Sequence, residues 1–220
     1  MTHLEEELKQ LKEAVIEMAA LAKSQLQKAR EAYLKMDTEI AQEVIHNESR
    51  MNAMELSIDR DCENIFALFN PVASDLRFVI AVFKINSDFE RIGDYADGIA
   101  DYVVDFNKST PPELMETTKT SQMFDIAISM AHDIKIAFEK EDNTLARKVY
   151  QKDAMLNQIN KNASKVISEF VKKAPETARQ CLFLFSVIRK LERVGDHIKN
   201  IAEDVIFYVE AEVLKHKKKK

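Results

Sequence analysis

Four acidic residues follow one another at helical spacing in the segment FERIGDYADGIAD, residues 89–101. An α-helix turns by about 100° per residue, so Glu90, Asp94, Asp97 and Asp101 would lie together on one face of a helix. Carboxylates one helical turn apart supply the several oxygen ligands that hard cations require. The spacing therefore predicts a metal-binding face, opposite the apolar face of the same helix.

A second acidic segment, LERVGDHIKNIAED at residues 191–204, repeats the first one after a shift of 102 positions. Three acids recur at matching positions: Glu192, Asp196 and Glu203. Lys199 stands where the first copy has Asp97. Like charges at this spacing cost roughly 0.2–0.5 kcal/mol per pair, which leaves two interpretations, a cation site or a solvated face partly relieved by Arg91 and Arg193. The repetition at matching positions favours the cation site.

The helix that precedes each acidic segment offers one further carboxylate. A shift of 105 positions aligns these preceding helices and pairs Glu48 with Asp153. Counting back across each turn of an antiparallel hairpin places Glu48 near the level of Asp94 to Asp97, and Asp153 roughly level with Asp196. We therefore expect both residues as additional ligands.

The ligand types indicate which metals would suit these sites. No thiolate accompanies the acids, which disfavours a structural zinc site of the cysteine type. Iron, manganese, magnesium and calcium fit a set of oxygen ligands, and zinc or nickel fit it less well.

A glycine interrupts the acids of each copy, at Gly93 and Gly195. Glycine inside a helix costs about 1 kcal/mol relative to alanine. Its repeated use predicts the close approach either of another helix or of a bound ion cluster.

Long helices must position these residues, because the chain has only 3 glycines and 4 prolines with which to form turns. Apolar residues recur at helical spacing nearly everywhere. Caps and breakers predict six helices: 2–35, 37–70, 74–107, 112–140, 142–173, and a last one from 175 into the terminal lysines. Long helices joined by short turns lie antiparallel.

We therefore expect an all-α fold, a tandem pair of antiparallel three-helix bundles related by internal duplication. The first bundle would span residues 1–109, and the second would span 110–220 and carry the basic C-terminal tail.

Composition excludes several classes of function. The net charge of −5 argues against nucleic acid as a partner. No window approaches the roughly 18–20 apolar residues of a membrane span, and the charged N-terminus lacks the apolar core of a secretory signal. Cys62 and Cys181 have no CxxC spacing and are expected to be reduced packing residues of a cytoplasmic protein.

The two copies of E-R-[IV]-G-D, each in the third helix of a three-helix half, carry a family likeness. Together with PVASDLRFVIAVFKINSDFERIGDYADGIAD, residues 71–101, they closely resemble the PhoU family of phosphate-transport regulators, over nearly the whole chain. The resemblance implies multinuclear metal clusters held by E(D)xxxD motifs, with iron the first expectation. Those motifs would be Glu90 with Asp94 and Glu192 with Asp196, extended by Asp97, Asp101 and Glu203.

The resemblance also implies a role. The chain would act in the cytoplasm, or at the inner face of the membrane through its partners, as a negative regulator of high-affinity phosphate uptake. Its partners would be the ATPase subunit of the phosphate ABC transporter and a phosphate-responsive sensor histidine kinase. The long amphipathic helices favour a homodimer. We expect no enzyme; a carboxylate-bridged metal enzyme and a purely structural helical spacer are the alternatives.

Overall fold

The computed structural model describes residues 2–106 and 108–211, which form helices and turns without any strand. The seven α-helices are α1 His3–Lys35, α2 Thr38–Phe69, α3 Ala73–Phe106, α4 Pro112–Thr117, α5 Thr120–Lys140, α6 Asn143–Lys173 and α7 Ala178–Glu210, with a short 3-10 turn at Pro175–Thr177. The all-α prediction is confirmed. The terminal lysines at 217–220 lie outside the described residues.

Side-chain caps set three of the helix starts where the sequence predicted them. Thr2 and Glu5 form a reciprocal capping box at the start of α1. Asp37 accepts hydrogen bonds from the backbone N–H groups of two residues in the first turn of α2, at 3.0 and 3.1 Å. Asp142 caps α6 in the same way through the Leu145 N–H, at 2.9 Å. The two aspartates are a repeat pair, so the duplication extends to the capping chemistry.

The predicted helix 112–140 is wrong in one respect, because it is broken in two between Thr117 and Thr120. Lys119 adopts a left-handed backbone conformation with φ of 56°, which an α-helix cannot continue through. The Thr118 hydroxyl donates to the Leu114 carbonyl at 2.7 Å and also lies 2.8 Å from the Thr120 hydroxyl. Threonine side chains that bond to nearby backbone compete with the helical ladder, and three threonines meet here.

The two halves pack face to face through equivalent helices. Helices α1, α2 and α3 form one bundle and α5, α6 and α7 the other, while α3 packs on α7 and α1 on α5. Tyr95 and His197, which are repeat equivalents, contact each other with ring centroids 5.7 Å apart. The hydroxyl groups of Tyr102 and Ser186 form a 2.6 Å hydrogen bond between the halves. Their repeat equivalents, Asp204 and Lys84, form an ion pair of 3.5 Å. The duplicated halves therefore meet through an approximate two-fold relation.

The apolar face predicted opposite the acids forms part of one continuous core. Ile92, Ala96, Ile99 and Val103 are all fully buried. The two cysteines are buried and free, in agreement with their predicted packing role. None of the described helices is long and apolar enough to cross a membrane.

The repeated glycines allow the second helix of each half to approach the third. A β-carbon added at Gly93 would lie 3.2 Å from two atoms of Met51, and one at Gly195 would lie 2.6 Å from Cδ1 of Leu156. Met51 and Leu156 are themselves repeat equivalents. Packing of a neighbouring helix accounts for both glycines.

We expect Gly195→Ala to lower the free energy of unfolding and Gly98→Ala to leave it unchanged or raise it. Alanine gains about 1 kcal/mol of helix propensity at either site. At Gly195 the new methyl must displace the fully buried Leu156, and overpacking of a core costs about 1–3 kcal/mol. At Gly98 it meets only the flexible end of Lys190. Urea denaturation of both variants tests this, and equal effects would contradict it.

Candidate metal centre

Three carboxylates from two antiparallel helices converge in the first half of the chain. Glu48 on α2 and Glu90 and Asp94 on α3 each offer an oxygen, and these oxygens all lie within 4.8 Å of one another. Among the described residues this is the one group of at least three such side chains with that geometry. We call these three residues the first cluster. The level predicted for Glu48 by counting across the turn agrees with this arrangement.

In both halves an asparagine side chain lies beside the additional carboxylate of the preceding helix, which is Glu48 in the first half and Asp153 in the second. The Nδ2 of Asn52 donates to Oε1 of Glu48 at 2.6 Å. The Nδ2 of Asn157 donates to Oδ2 of Asp153 at 3.1 Å. Each asparagine orients its carboxylate through one amide N–H group.

The other predicted ligands on the acidic face of α3, Asp97 and Asp101, extend the first cluster along that helix. Asp97 is half-buried; burial raises its pKa, and the charges of Asp101, Glu48 and Asp94 raise it further. Asp101 is exposed to solvent. Neither residue belongs to the converging group of three. The acidic face of α3 therefore consists of Glu90 and Asp94, which converge with Glu48, and of Asp97 and Asp101, which do not.

Glu55 also faces the first cluster, and the sequence analysis missed it. Burial raises its pKa, and Asp59 and Asp94 raise it further. Glu55 follows Glu48 by two helical turns on α2, and residues seven apart share a face of a helix. That spacing was the signal that could have identified it.

Burial and mutual repulsion perturb the acids of the first cluster. Burial raises the pKa of Glu90 to about 7, with further increases from the charges of Asp94 and Glu55 and a smaller opposing effect of Arg91. Burial likewise raises the pKa of Asp97 to about 6. Oε2 of Glu90 and Oδ1 of Asp97 are buried and accept no hydrogen bond from the described residues. Buried acceptors without donors are costly, so a cation here would stabilise the folded protein.

Arg91 relieves part of this repulsion from the solvent side. Its Nη1 donates to Oδ2 of Asp94 at 2.9 Å, and its Nε lies 3.5 Å from Oε2 of Glu90. The side chain is 56% exposed, and exposed ion pairs contribute little, about 0–1 kcal/mol. One exposed arginine does not neutralise the converging carboxylates. The first cluster therefore fits a hard divalent or trivalent cation.

The second half has a different arrangement, because a lysine enters its acidic group. Nζ of Lys199 lies 3.1 Å from Oδ1 of Asp196 and 3.4 Å from Oδ2 of Asp153. Burial alone would lower the pKa of Lys199, but its hydrogen bonds and charge interactions with those two acids raise it. We call Asp153, Asp196 and Lys199 the second cluster.

The remaining predicted acids lie at the edge of the second cluster. Glu192 is largely buried, and its Oε2 lies 3.8 Å from Nε of Arg193. Arg193 also donates to Asp196 at 3.4 Å, as Arg91 does to Asp94. Glu203 is half-buried. Burial raises the pKa of Tyr150, and the negative charge of Glu203 raises it further. The positions repeat those of the first half, but a cation of the chain itself already lies among them.

We expect the free energy of unfolding of the metal-free protein to fall as the pH rises from about 4.5 to about 7. In that window folded Glu90 binds a proton that the unfolded chain has released, so ionisation opposes folding. Glu90→Gln should reduce this loss by on the order of 1 kcal/mol after allowance for solvent screening. Urea denaturation at pH 5 and pH 7.5 in a chelator measures it.

The matched control for this pH effect is Glu63→Gln, on an exposed position of α2. It should retain the pH dependence of the unsubstituted protein. An equal pH dependence in Glu90→Gln and Glu63→Gln would contradict the assignment to Glu90.

Comparison with known proteins agrees with the duplication and the fold. The family model described as the PhoU domain matches the chain twice, at residues 15–103 and 120–205. A PhoU homologue of Aquifex aeolicus, described as a phosphate-specific transport system accessory protein, is 35% identical over 210 residues, covering 96% of this chain and 94% of the relative. The Escherichia coli accessory protein PhoU is 30% identical, covering 96% and 86%.

Solved structures give the same result. The crystal structure of PhoU from Pseudomonas aeruginosa superposes with a TM-score of 0.89 at 30% identity, covering 96% of this chain and 100% of that one. The phosphate transport system regulatory protein PhoU from Streptococcus pneumoniae superposes with a TM-score of 0.86 at 29% identity, covering 97% and 100%. The relatives are accessory and regulatory proteins, which confirms the expectation of a protein that is not an enzyme. The chain belongs to the PhoU family.

Proposed function

We propose that this protein is a metal-binding regulator of phosphate transport, which restrains the high-affinity phosphate ABC transporter and phosphate-starvation signalling through protein–protein contacts. The transport role is supported by relatives whose names describe accessory proteins of phosphate-specific transport and which align with 96% of the chain. The metal-binding part is supported by one observation above all, the convergence of Glu48, Glu90 and Asp94 within 4.8 Å.

The first cluster would hold the metal, with Asp97 and Asp101 as further ligands if more than one ion binds. Iron is the first candidate, and manganese, magnesium, calcium, zinc and nickel are alternatives. A bound cation would neutralise carboxylates from α2 and α3 and so tie the two helices together. The second motif, Glu192 and Asp196 with Asp153 and Glu203, supplies the same residue types around Lys199.

The proposed partners are the ATPase subunit of the transporter and a phosphate-responsive sensor histidine kinase. The protein would meet them in the cytoplasm, at the inner face of the membrane, as a homodimer. The proposed domains, 1–109 and 110–220, each contain one matched PhoU range. Their shared core implies that they act as one body.

The carboxylate-bridged metal enzyme loses its support, since the family consists of accessory proteins. A purely structural helical spacer would have the same fold but would retain no metal. Elemental analysis of the purified protein separates the spacer from the regulator.

We expect Asp94→Asn to abolish metal retention and metal-dependent stabilisation. Retained metal is counted after the protein is loaded with Mn²⁺ and dialysed extensively, and the melting temperature is measured separately in excess Mn²⁺. A ligand at a hundred times its Kd stabilises by about 2.7 kcal/mol, which corresponds to about 5–10 °C for a chain of this size. Asp94→Asn should lose this gain, because it removes a charged oxygen from the convergent group.

The control is Glu63→Gln, which neutralises an exposed carboxylate of α2 away from the first cluster. It should keep both the metal and the melting-temperature gain. If the unsubstituted protein retains no metal, or if Asp94→Asn retains as much as the control, the metal-binding part of the proposal is wrong.

The transport role predicts retention of the ATPase subunit by the purified protein. A tagged chain is incubated with the phosphate-transporter ATPase, with and without Mn²⁺, and the retained ATPase is quantified. The ATPase of an unrelated ABC transporter is the control and should not be retained. Failure to retain the phosphate-transporter ATPase in either metal state would contradict the proposed partner and leave the metal site unaffected.

A further inference from the structure

We infer that Lys199 is a built-in cation that occupies the second cluster, so that this chain takes up exchangeable metal in its first half only. The inference rests on the proposed function in one respect, since it assigns the metal to the first cluster. It also makes a separate claim about the second cluster, that its ammonium group excludes a metal ion.

The position of the ammonium group carries this inference. Nζ of Lys199 lies within 3.4 Å of carboxylate oxygens from two different helices, Asp153 on α6 and Asp196 on α7. Asp153 corresponds to Glu48 and Asp196 to Asp94. In the first half the equivalent carboxylates converge, and among the described residues the cation that pairs with them is the exposed Arg91, which contacts acids of α3. The lysine therefore lies where the repeat would otherwise bring together acids of the two helices.

The second half also carries fewer acids around this position than the first. Lys199 replaces Asp97, and the positions of Glu55 and Asp59 are taken by Asn160 and Ser164. Each change reduces the negative charge, whereas the arginine that pairs with the motif is kept in both halves. The greater negative charge of the first half is expected if it holds a multivalent metal ion. The smaller negative charge of the second half is expected if it holds the monovalent ammonium group of Lys199.

Electrostatics explains why the ammonium group would exclude a metal. A metal ion that entered the second cluster would lie within a few ångströms of a fixed positive charge, in a half-buried site where like charges repel strongly. The ammonium is attached to the chain, so dialysis or a chelator cannot remove it. Metal binding would require Lys199 to leave both carboxylates. The second half would then be stabilised independently of metal, and the first half would respond to it.

The test counts Mn²⁺ ions per chain by elemental analysis after dialysis, in single and double variants. Asp94→Asn should remove the metal of the unsubstituted protein, and Asp196→Asn should leave it unchanged. Lys199→Asp, which restores the acid of the first repeat, should increase the metal retained per chain. The added metal should disappear in the Lys199→Asp/Asp196→Asn double variant.

The matched control is Lys161→Asp, the same charge change at an exposed position of α6. It should retain as much metal as the unsubstituted protein. A gain equal to that of Lys199→Asp would overturn the inference, because added negative charge alone would then explain the uptake.

A measurement without the aspartate variant covers the case in which Lys199→Asp fails to fold. In a chelator, Lys199→Gln should melt below the unsubstituted protein, because Asp153 and Asp196 lose the cation between them. Mn²⁺ should raise the melting temperature of Lys199→Gln more than that of the unsubstituted protein, because removal of the ammonium group opens the second cluster to the metal. No loss of stability in Lys199→Gln would overturn the inference.

The failures of the two proposals are distinguishable. A loss of metal in Asp196→Asn with the lysine intact overturns the inference about Lys199 and supports metal binding by the protein. Metal in Lys199→Asp that depends on Asp196, with none in the unsubstituted protein, supports the exclusion of metal by Lys199 and overturns metal binding by the first cluster. Absence of metal from both proteins overturns both.

Discussion

The close packing of the second and third helices of each half forces like charges together, and much of the chemistry of this protein follows from that constraint. Met51 packs against Gly93, and the buried Ile92 and Ala96 fix the rotation of α3. The oxygens of the first cluster then lie within 4.8 Å of one another. Because protein cores are close-packed, α2 and α3 cannot move apart to relieve this repulsion without disrupting the core.

Three means of compensating this repulsion are present or available in the molecule. Protonation is one, since burial raises the pKa of Glu90 to about 7. An exposed arginine is another, and it pairs with the motif in both halves. A cation inside the group is the third. In our proposals the first half obtains that cation from solution, and the second half provides it as Lys199. One duplicated framework would thus combine a metal-responsive half with a half that does not depend on metal.

The sequence predicted the helices, the acidic faces and the duplication, because each depends on local periodicity or on caps such as Asp37 and Asp142. It did not predict the break at Thr118, where side-chain hydrogen bonds and the left-handed Lys119 outweigh a continuous apolar pattern. Glu55 was missed because its repeat equivalent, Asn160, is not an acid, so the duplication that indicated Glu48 gave no such signal for it. The ion pair of Lys84 with Asp204 depends on how the halves pack, which periodicity does not specify.

The contribution of Lys199 could be read from the sequence only as a departure from the repeat. A lysine at this position could equally extend into solvent, since its four-carbon side chain is flexible. The structure shows that its ammonium group instead reaches carboxylates on two helices. Alignment of the two halves shows only that a lysine stands where the first half has Asp97. The direction of its side chain shows that the lysine pairs with Asp153 and Asp196.

Anomalous X-ray scattering from crystals grown with Mn²⁺ tests the central claim most directly, because it locates the metal and not only its amount. We expect an anomalous peak between the oxygens of Glu48, Glu90 and Asp94. We also expect that Lys199 remains paired with Asp153 and Asp196 in the same crystals. Fully ordered acidic side chains without a peak at the first cluster would contradict the central claim.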